Sequence, residues 1–389
     1  MLSPERSDPS AWASELRSTD ARSAETGAPT QNDVDAFARI HVGRPTPPFI
    51  SNLTTQIELL GSGVRAVPVT INGDERDNAW VCSPYTAYCA YAIEELERLA
   101  HPLVTRPLSW LCRAAGASLR RAEIDRAVAI NNWLLSTNLY PSLDRATLRS
   151  WIAESRKRWP AHSIWFRSLN DAWTSDWIAA LVAEGFELIP SRQVYLYSDI
   201  ADLPRRHSDL KADLKLLERT PLRQCGPEDF GPVDWPRIEA LYGKLYLEKY
   251  SRLNPAYRAS FMEAWHRAGL LRLVGFRDAE GVLQAIAGTF EREGVVTAPL
   301  VGYDTALPQK LGLYRLLMAA VLKYAADSGQ RVNLSAGAAG FKRMRGGVPA
   351  IEYSAVFVRH LPMRRQRAIE RLRWLTERIG VPLMKRFEL

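Results

Sequence analysis

The stretch whose residue types and spacing most readily suggest chemistry runs from Val295 to Gly347. An apolar run of strand character, Val295 to Gly302, enters the turn-rich loop Tyr303 to Lys310. Gly312 then releases the chain into a helix whose apolar residues Leu313, Leu316, Leu317, Ala320, Val321 and Tyr324 recur at helical spacing. Gly329 ends that helix, and a second short strand, Arg331 to Ser335, follows. Strand, glycine-bearing loop, helix and strand leave backbone N–H groups and the positive end of a helix dipole at one mouth. That chemistry suits an anion such as a pyrophosphate. The same layout serves α/β proteins that bind nothing there, so an anion site and a plain helix start both stay open.

Other chemistries find little support. The six histidines are scattered, with no HExxH, no Cys/His metal spacing, no G-x-S-x-G elbow and no P-loop, so no metal is expected. Twelve Trp and 14 Tyr could furnish base-stacking platforms, but no RNA-binding motif accompanies them and most rings should be core. Cys82, Cys89, Cys112 and Cys225 lack CxxC spacing and read as reduced, buried thiols. There is no run of about twenty apolar residues, and the N-terminus has no basic segment followed by an apolar core. A cytoplasmic protein is the expectation. The formal charge of +8 favours anionic partners: CoA-like phosphates, an acidic carrier protein, RNA or an anionic membrane surface.

The elements that must position the stretch follow from pattern. With 389 residues and 47% hydrophobic content, the chain can build two ordinary domains. Residues 1–32 read as a flexible tail, and order should begin near Asp33. Strands are expected at Val64 to Ile71 and, after an NGDER turn, at Ala79 to Ser83. Helix follows in SPYTAYCAYAIEELERLA, is interrupted at Pro102 and Pro107, and resumes with a break near Gly116. Between Ile130 and Leu143, Asn131, Asn132, Asn138 and Tyr140 form either a strand with a polar end beside a pocket or a satisfied turn cluster. Helix Thr147 to Trp159, strand Ser163 to Leu169, helix Trp177 to Glu184 and strand Arg192 to Tyr197 complete this half. In the second half, Leu216 to Gln224 reads as a strand and Trp235 to Lys249 as a helix. A further helix and the strands LLRLVGFR and VLQAIAGTFE follow.

The chain then repeats its own order. TLRSWIAESRKRW, SIWFRSL and RQVYLYS in the first half parallel LYRLLMAAVLKYA, RVNLSAG and IEYSAVFV about 165 residues later. Only the second copy has the glycine-bearing loop QKLGLY; the first has LYPSLDRATL in its place.

An initial strand and helices, a three-strand meander, then helix, strand, helix and strand is the element order of the GNAT acyltransferase fold. With VNLSAGAAGFKRMRGG and IEYSAVFV at its tail, the chain from Pro48 to His360 resembles the BioF2-like and FemAB-like branch of GNAT proteins, which often carry tandem GNAT-like domains. The resemblance implies an α/β (α+β) fold of two such domains, 33–205 without a phosphate loop and 206–360 with the donor site. Each would be a mixed, mostly antiparallel sheet flanked by helices, with a basic amphipathic helix over 361–389.

It also implies N-acyl transfer to the amine of a small molecule or amino acid, with an aminoacyl-tRNA-dependent FemAB-like transferase, or a non-catalytic GNAT scaffold that binds a partner, as the alternatives. The donor would be acyl-CoA or the phosphopantetheine of an acyl carrier protein. Val301 and the loop Gln309, Lys310, Leu311, Gly312, Leu313 and Tyr314 match the donor-binding part of the family. Tyr314 stands where a second small residue is usual, which leaves room for a carrier-protein donor or a charged tRNA. Lys342, Arg343 and Arg345 fall where the family's basic run approaches the donor. Glu291, Tyr303 or Asp304 would take the amine proton, and Ser335 would serve the leaving group. Tyr250, Asn254, Tyr257 and Asn138 are the acceptor-pocket candidates. Finally, Ile369, Leu372, Leu375 and Ile379 recur at helical spacing in a C-terminal segment rich in arginine. It is either a helix packed on the domain or a basic dock for a carrier, a tRNA or a membrane surface.

Overall fold

The computed structural model describes residues 29–75, 77–98 and 102–387. Most of the expected tail lies outside these residues, and a first helix, α1, already runs over Pro29–His41. Strands β1 (Gln56–Leu60) and β2 (Val67–Gly73) form an antiparallel pair. No strand forms over Ala79 to Ser83, because Asn78 ties its side chain to both backbone groups of Thr54 and holds this segment as turns. Helices α2 (Tyr91–Arg98) and α3 (Pro102–Arg121) follow. Neither Pro107 nor Gly116 breaks α3. Gly116 is there for space, since a Cβ would come within 3.2 Å of the Tyr85 ring.

Strand β3 (Arg126–Ile130), helix α4 (Arg145–Arg158) and strand β4 (Ser163–Asn170) form a crossover unit with β3 and β4 parallel. Helix α5 (Ser175–Ala183) and strand β5 (Glu187–Tyr197) complete the first half. The stretch expected as a strand from Leu216 is instead the end of helix α7 (Ser208–Arg219), which follows the short α6 (Leu203–Arg206). Its apolar residues sit at helical spacing and pack on the later helix, and only Arg223–Cys225 is extended, as β6. Next come α8 (Trp235–Tyr242), continued by a wider turn to Tyr250, and α9 (Ala259–Arg267). The meander β7 (Arg272–Arg277), β8 (Leu283–Arg292) and β9 (Val295–Tyr303) leads to α10 (Leu313–Asp327) and β10 (Arg331–Asn333). The chain closes with α11 (Ala339–Met344), β11 (Val348–Phe357), α12 (Met363–Leu375) and α13 (Val381–Phe387).

The eleven strands among the described residues join one mixed, mostly antiparallel sheet flanked by helices, ordered β1-β2-β3-β4-β11-β5-β10-β9-β8-β7-β6. The halves share it by exchange. β11 lies antiparallel between β4 and β5, while β5 also pairs with β10. The parallel pairs β3/β4 and β9/β10 therefore sit on either side of the central β11/β5 pair. Helix α10 buries Leu316, Leu317, Val321 and Leu322 against one face. On another face α1 docks across the halves, where Trp265 Nε1 donates to His41 Nε2 at 2.8 Å. Among the described residues no helix is long and apolar enough to cross a membrane.

Candidate functional site

The site starts where two parallel strands part. β10 pairs with β9 only at Val295, Val296 and Thr297. Pro299 then has no N–H to give a ladder, and the β8 partner strand slips register between Gly288 and Phe290. On the other side Ser335 enters the left-handed region (φ 58°) and turns the chain away from β9. A cleft of about 360 Å³ opens in the gap, with Ala298 and Val301 on one wall and Leu334, Ser335 and Ala336 on the other. Tyr314 and Met318 from α10, with Tyr250 and Asn254, line the second-half side. Trp80, Arg167 and Arg192 from the first half, and Glu352 of β11, complete it.

The first-half residues form one packed unit. The Trp80 ring lies 5.0 Å from the Arg167 guanidinium and 4.8 Å from that of Arg192. Its Nε1 donates to Asn254 Oδ1 at 2.9 Å, which links the two halves across the cleft. Arg192 forks onto Glu352, Nε to Oε1 at 2.8 Å and Nη2 to Oε2 at 3.2 Å, and Nη2 also donates to the Ser136 carbonyl at 2.5 Å. Arg167 Nη1 donates to the Val81 carbonyl (2.8 Å) and to Asn132 Oδ1 (3.1 Å), whereas its buried Nη2 has no acceptor. With Lys342 the cleft holds three cationic side chains against the carboxylates Glu95 and Glu352. That balance suits a ligand with an anionic part.

The sequence-derived candidates divide sharply. Val301, Tyr314, Ser335, Lys342, Tyr250 and Asn254 all line this cleft. Glu291 does not face it. Glu291 pairs with Val296, at the opposite end of β9 from Tyr303, and its carboxylate accepts from Tyr324 Oη (2.5 Å) and Gln330 Nε2 (2.8 Å). The tight turn at Glu293 and Gly294 sets Glu291 against the start of β9, the end away from the cleft, and this was already implicit in the spacing of EREG before the strand. Asp304 is bound by Lys244 (2.8 Å) and Arg237 (2.9 Å), and the Lys244 contact leads in holding its carboxyl down at about 2. A carboxylate so paired is a poor proton acceptor, and it fixes the loop after β9. Tyr303 stands beside it, half-buried, with Lys249 Nζ 3.3 Å from its hydroxyl.

Tyr257 is core. It is 3% exposed, donates to the Leu134 carbonyl at 2.7 Å and stacks on Phe261. Asn138 accepts from the Trp133 N–H at 3.1 Å, and Asn131 caps the Leu139 carbonyl at 2.9 Å. The segment forms turns rather than strand, but Asn138 Nδ2 is buried without a partner, and Asn138, Leu139 and Tyr140 line a cavity of about 220 Å³, so both readings hold in part.

The basic run is mostly structural as well. Arg345 is buried, donates to Asp213 and to the Phe341 carbonyl, and lies over the Phe341 ring. Lys342 gives its three protons to the carbonyls of Leu334 (2.7 Å), Ser335 (3.1 Å) and Ala336 (2.8 Å). Burial, then the Arg192 charge, lowers it to about 7, while the three carbonyls favour the ammonium. Lys342 thus shapes the cleft wall. Arg343, Gln309 and Lys310 are exposed, and Leu311 and Gly312 spend their N–H groups on the Pro308 and Gln309 carbonyls. The N–H groups of Leu313 and Tyr314, in the first turn of α10, have no acceptor within the helix and remain the donors of this loop.

Trp80, Arg167, Arg192 and Glu352 were missed by sequence reasoning. The available signal was a lone charge inside an otherwise apolar strand, as in SIWFRSL, because a buried charge requires partners.

The cleft thus lies where two parallel strands part beside a glycine-bearing helix start. Residues 207–343 match the model of the acetyltransferase (GNAT) domain. No curated protein sequence matches the chain. Among solved structures, L-PGS from Bacillus licheniformis is 12% identical with a TM-score of 0.44, covering 59% of this chain and 78% of that one. FemX is 9% identical with a TM-score of 0.45, over 59% and 80%. A tandem GNAT protein from the clavulanic acid biosynthesis pathway is 14% identical with a TM-score of 0.37, over 61% and 76%.

Proposed function

We propose that the protein is an N-acyltransferase that moves an acyl group from acyl-CoA, or from a carrier-protein phosphopantetheine, to the amine of a small molecule or amino acid. The parting of β9 and β10 beside the start of α10, inside the segment that matches the GNAT domain, carries this reading. The edge of β9 beyond Thr297 offers backbone groups to the amides of a pantetheine arm, as an added strand would use them. The α10 start offers N–H groups and its dipole to the phosphates. The amine nitrogen attacks the thioester carbonyl carbon; the C–N bond forms, the C–S bond breaks, and the amine's proton ends on the departing thiol. Ser335 supplies a hydroxyl on the wall beside the donor. Glu352, oriented by Arg192, holds the acceptor's ammonium, which gives its first proton to solvent before the free amine attacks.

A charged-tRNA donor is the second reading, favoured by Tyr314. Its ring packs 4.8 Å from Phe341 in the cleft wall, and the nearby cations Lys342 and Arg345 are already engaged, which leaves few contacts for a CoA pyrophosphate. Such a donor, or a carrier protein, would meet the exposed Arg364, Arg367, Arg371 and Arg378. The deciding experiment incubates the protein with amines and a panel of acyl-CoAs, acyl carriers and charged tRNAs, reading thiol release and product mass. Amine-dependent release of free CoA thiol is expected. Product from charged tRNA alone would transfer the conclusion to the second reading, and no product from any donor would remove both.

A further inference from the structure

The cleft does not end at its polar floor. Ala87, Tyr88, Ala92, Glu95, Ser191 and Arg192 also line a second recess, so the two spaces meet along that edge. Past the shared edge the recess, about 150 Å³, is walled by Leu96, Leu108, Leu111 and Cys112 of α2 and α3. Leu375, Ile379, Leu383 and Met384 of the C-terminal helices face them. The charged residues that line it, Glu95 and Arg192, both stand at the shared edge. The C-terminal segment therefore turns part of its apolar stripe, Leu372 included, toward this recess, while Ala368 and Ile369 are buried in the core beside the sheet.

A chamber with an apolar interior and charges confined to its mouth fits a molecule that is apolar at one end and polar at the other. We propose that the recess holds the unbranched alkyl chain of a substrate whose polar end reacts in the cleft. A volume of about this size takes a benzene-sized guest, so the chain the recess holds is medium in length, about six to eight carbons. The occupant is set by continuity with the cleft: a chain entering at Arg192 and Glu95 leaves its head among Trp80, Arg167 and Glu352. The assignment rests on the acyltransferase reading only for which substrate bears the chain.

Binding can be read without turnover. Calorimetry of the full chain with sodium butyrate, hexanoate and octanoate should show affinity rising about fourfold per added methylene, the worth of a buried CH₂. Cys112 is partly exposed in the recess, whereas Cys82, Cys89 and Cys225 are buried. Octanoate should therefore slow alkylation of Cys112 by N-ethylmaleimide at least tenfold, and butyrate should not. Ala115→Phe, which fills the recess, should abolish the chain-length preference; should it not fold, the wild-type measurements decide alone. Protection by octanoyl-CoA but not octylamine assigns the chain to the donor, and the reverse assigns it to the acceptor. Equal affinities for butyrate and octanoate, with no protection of Cys112, would overturn the proposal. Octanoate protection without acyl transfer from any donor would keep the recess and sink the acyltransferase reading.

Discussion

Gly312 carries two constraints at once. Its φ of +64° lies in the left-handed region, and a Cβ there would come within 2.7 Å of Leu216 Cδ2 on α7. Gly312→Val therefore loses stability as well as any donor contact, about 1–3 kcal/mol for the strain and collision, measured as a lower Tm. An unchanged Tm would show that the loop relaxes freely. Lys342 makes a prediction in pH. Burial lowers it from 10.5 to about 7, so below pH 7 both folded and unfolded chains hold the proton and the cost of burial is present in full. Between about 7 and 10.5 the unfolded chain binds more protons, and stability must rise with pH on this account. Denaturant unfolding at pH 7 and pH 9.5 should show a gain for wild type that is smaller in Lys342→Met. Parallel pH dependences would mean that the carbonyls of residues 334–336 keep the ammonium charged throughout.

At the scale of elements, the cleft wall hangs on one buried carboxylate. Asp213 of α7, with its side chain 1% exposed, receives Arg345 from the turn after α11 and Arg315 of α10 at 2.6 Å. Removing it strands the Arg345 guanidinium in the interior and unties α7 from both neighbours. Asp213→Ala should cost about 3–5 kcal/mol, the usual penalty for an orphaned buried charge. Chemical denaturation measures this directly, and a loss under about 1 kcal/mol would place the clamp among surface pairs in worth. The helix start at Gly312 is positioned by this same packing, since α7 and α10 are in extensive contact.

At the scale of the molecule, the exchange of strands decides what can fold alone. β11, near the end of the chain, has both of its strand partners, β4 and β5, in the first half. Residues 207–389 expressed alone would leave β11 without a ladder and expose the β10 edge that β5 covers. Such a piece should be insoluble or aggregated on size exclusion, because unpaired strand edges recruit other chains. Co-expression with residues 1–206 should restore a soluble one-to-one complex. A monomeric, cooperatively folded 207–389 would show that the second half has a sheet of its own.

Much of this was legible in the chain itself, for a physical reason. The helix from Leu313, the meander β7 to β9 and the glycine of QKLGLY are local patterns, written in residue spacing and in the φ that glycine permits. The repeated order of elements and the lack of a glycine loop in its first copy were legible in the same way. Local pattern also misled where neighbours decide. Leu216 to Gln224, read as a strand, is mostly helix and turn because its leucines continue the spacing of α7 and meet α10, and Ala79 to Ser83 is held in turns by Asn78. The pairing of strands across the halves leaves no trace in spacing, since a ladder is made of backbone groups that every residue carries. For that reason the meeting of Trp80, Arg167, Arg192 and Glu352, drawn from positions 80 to 352, was decided only by the tertiary structure. So was the retirement of Arg345 to a buried ion pair.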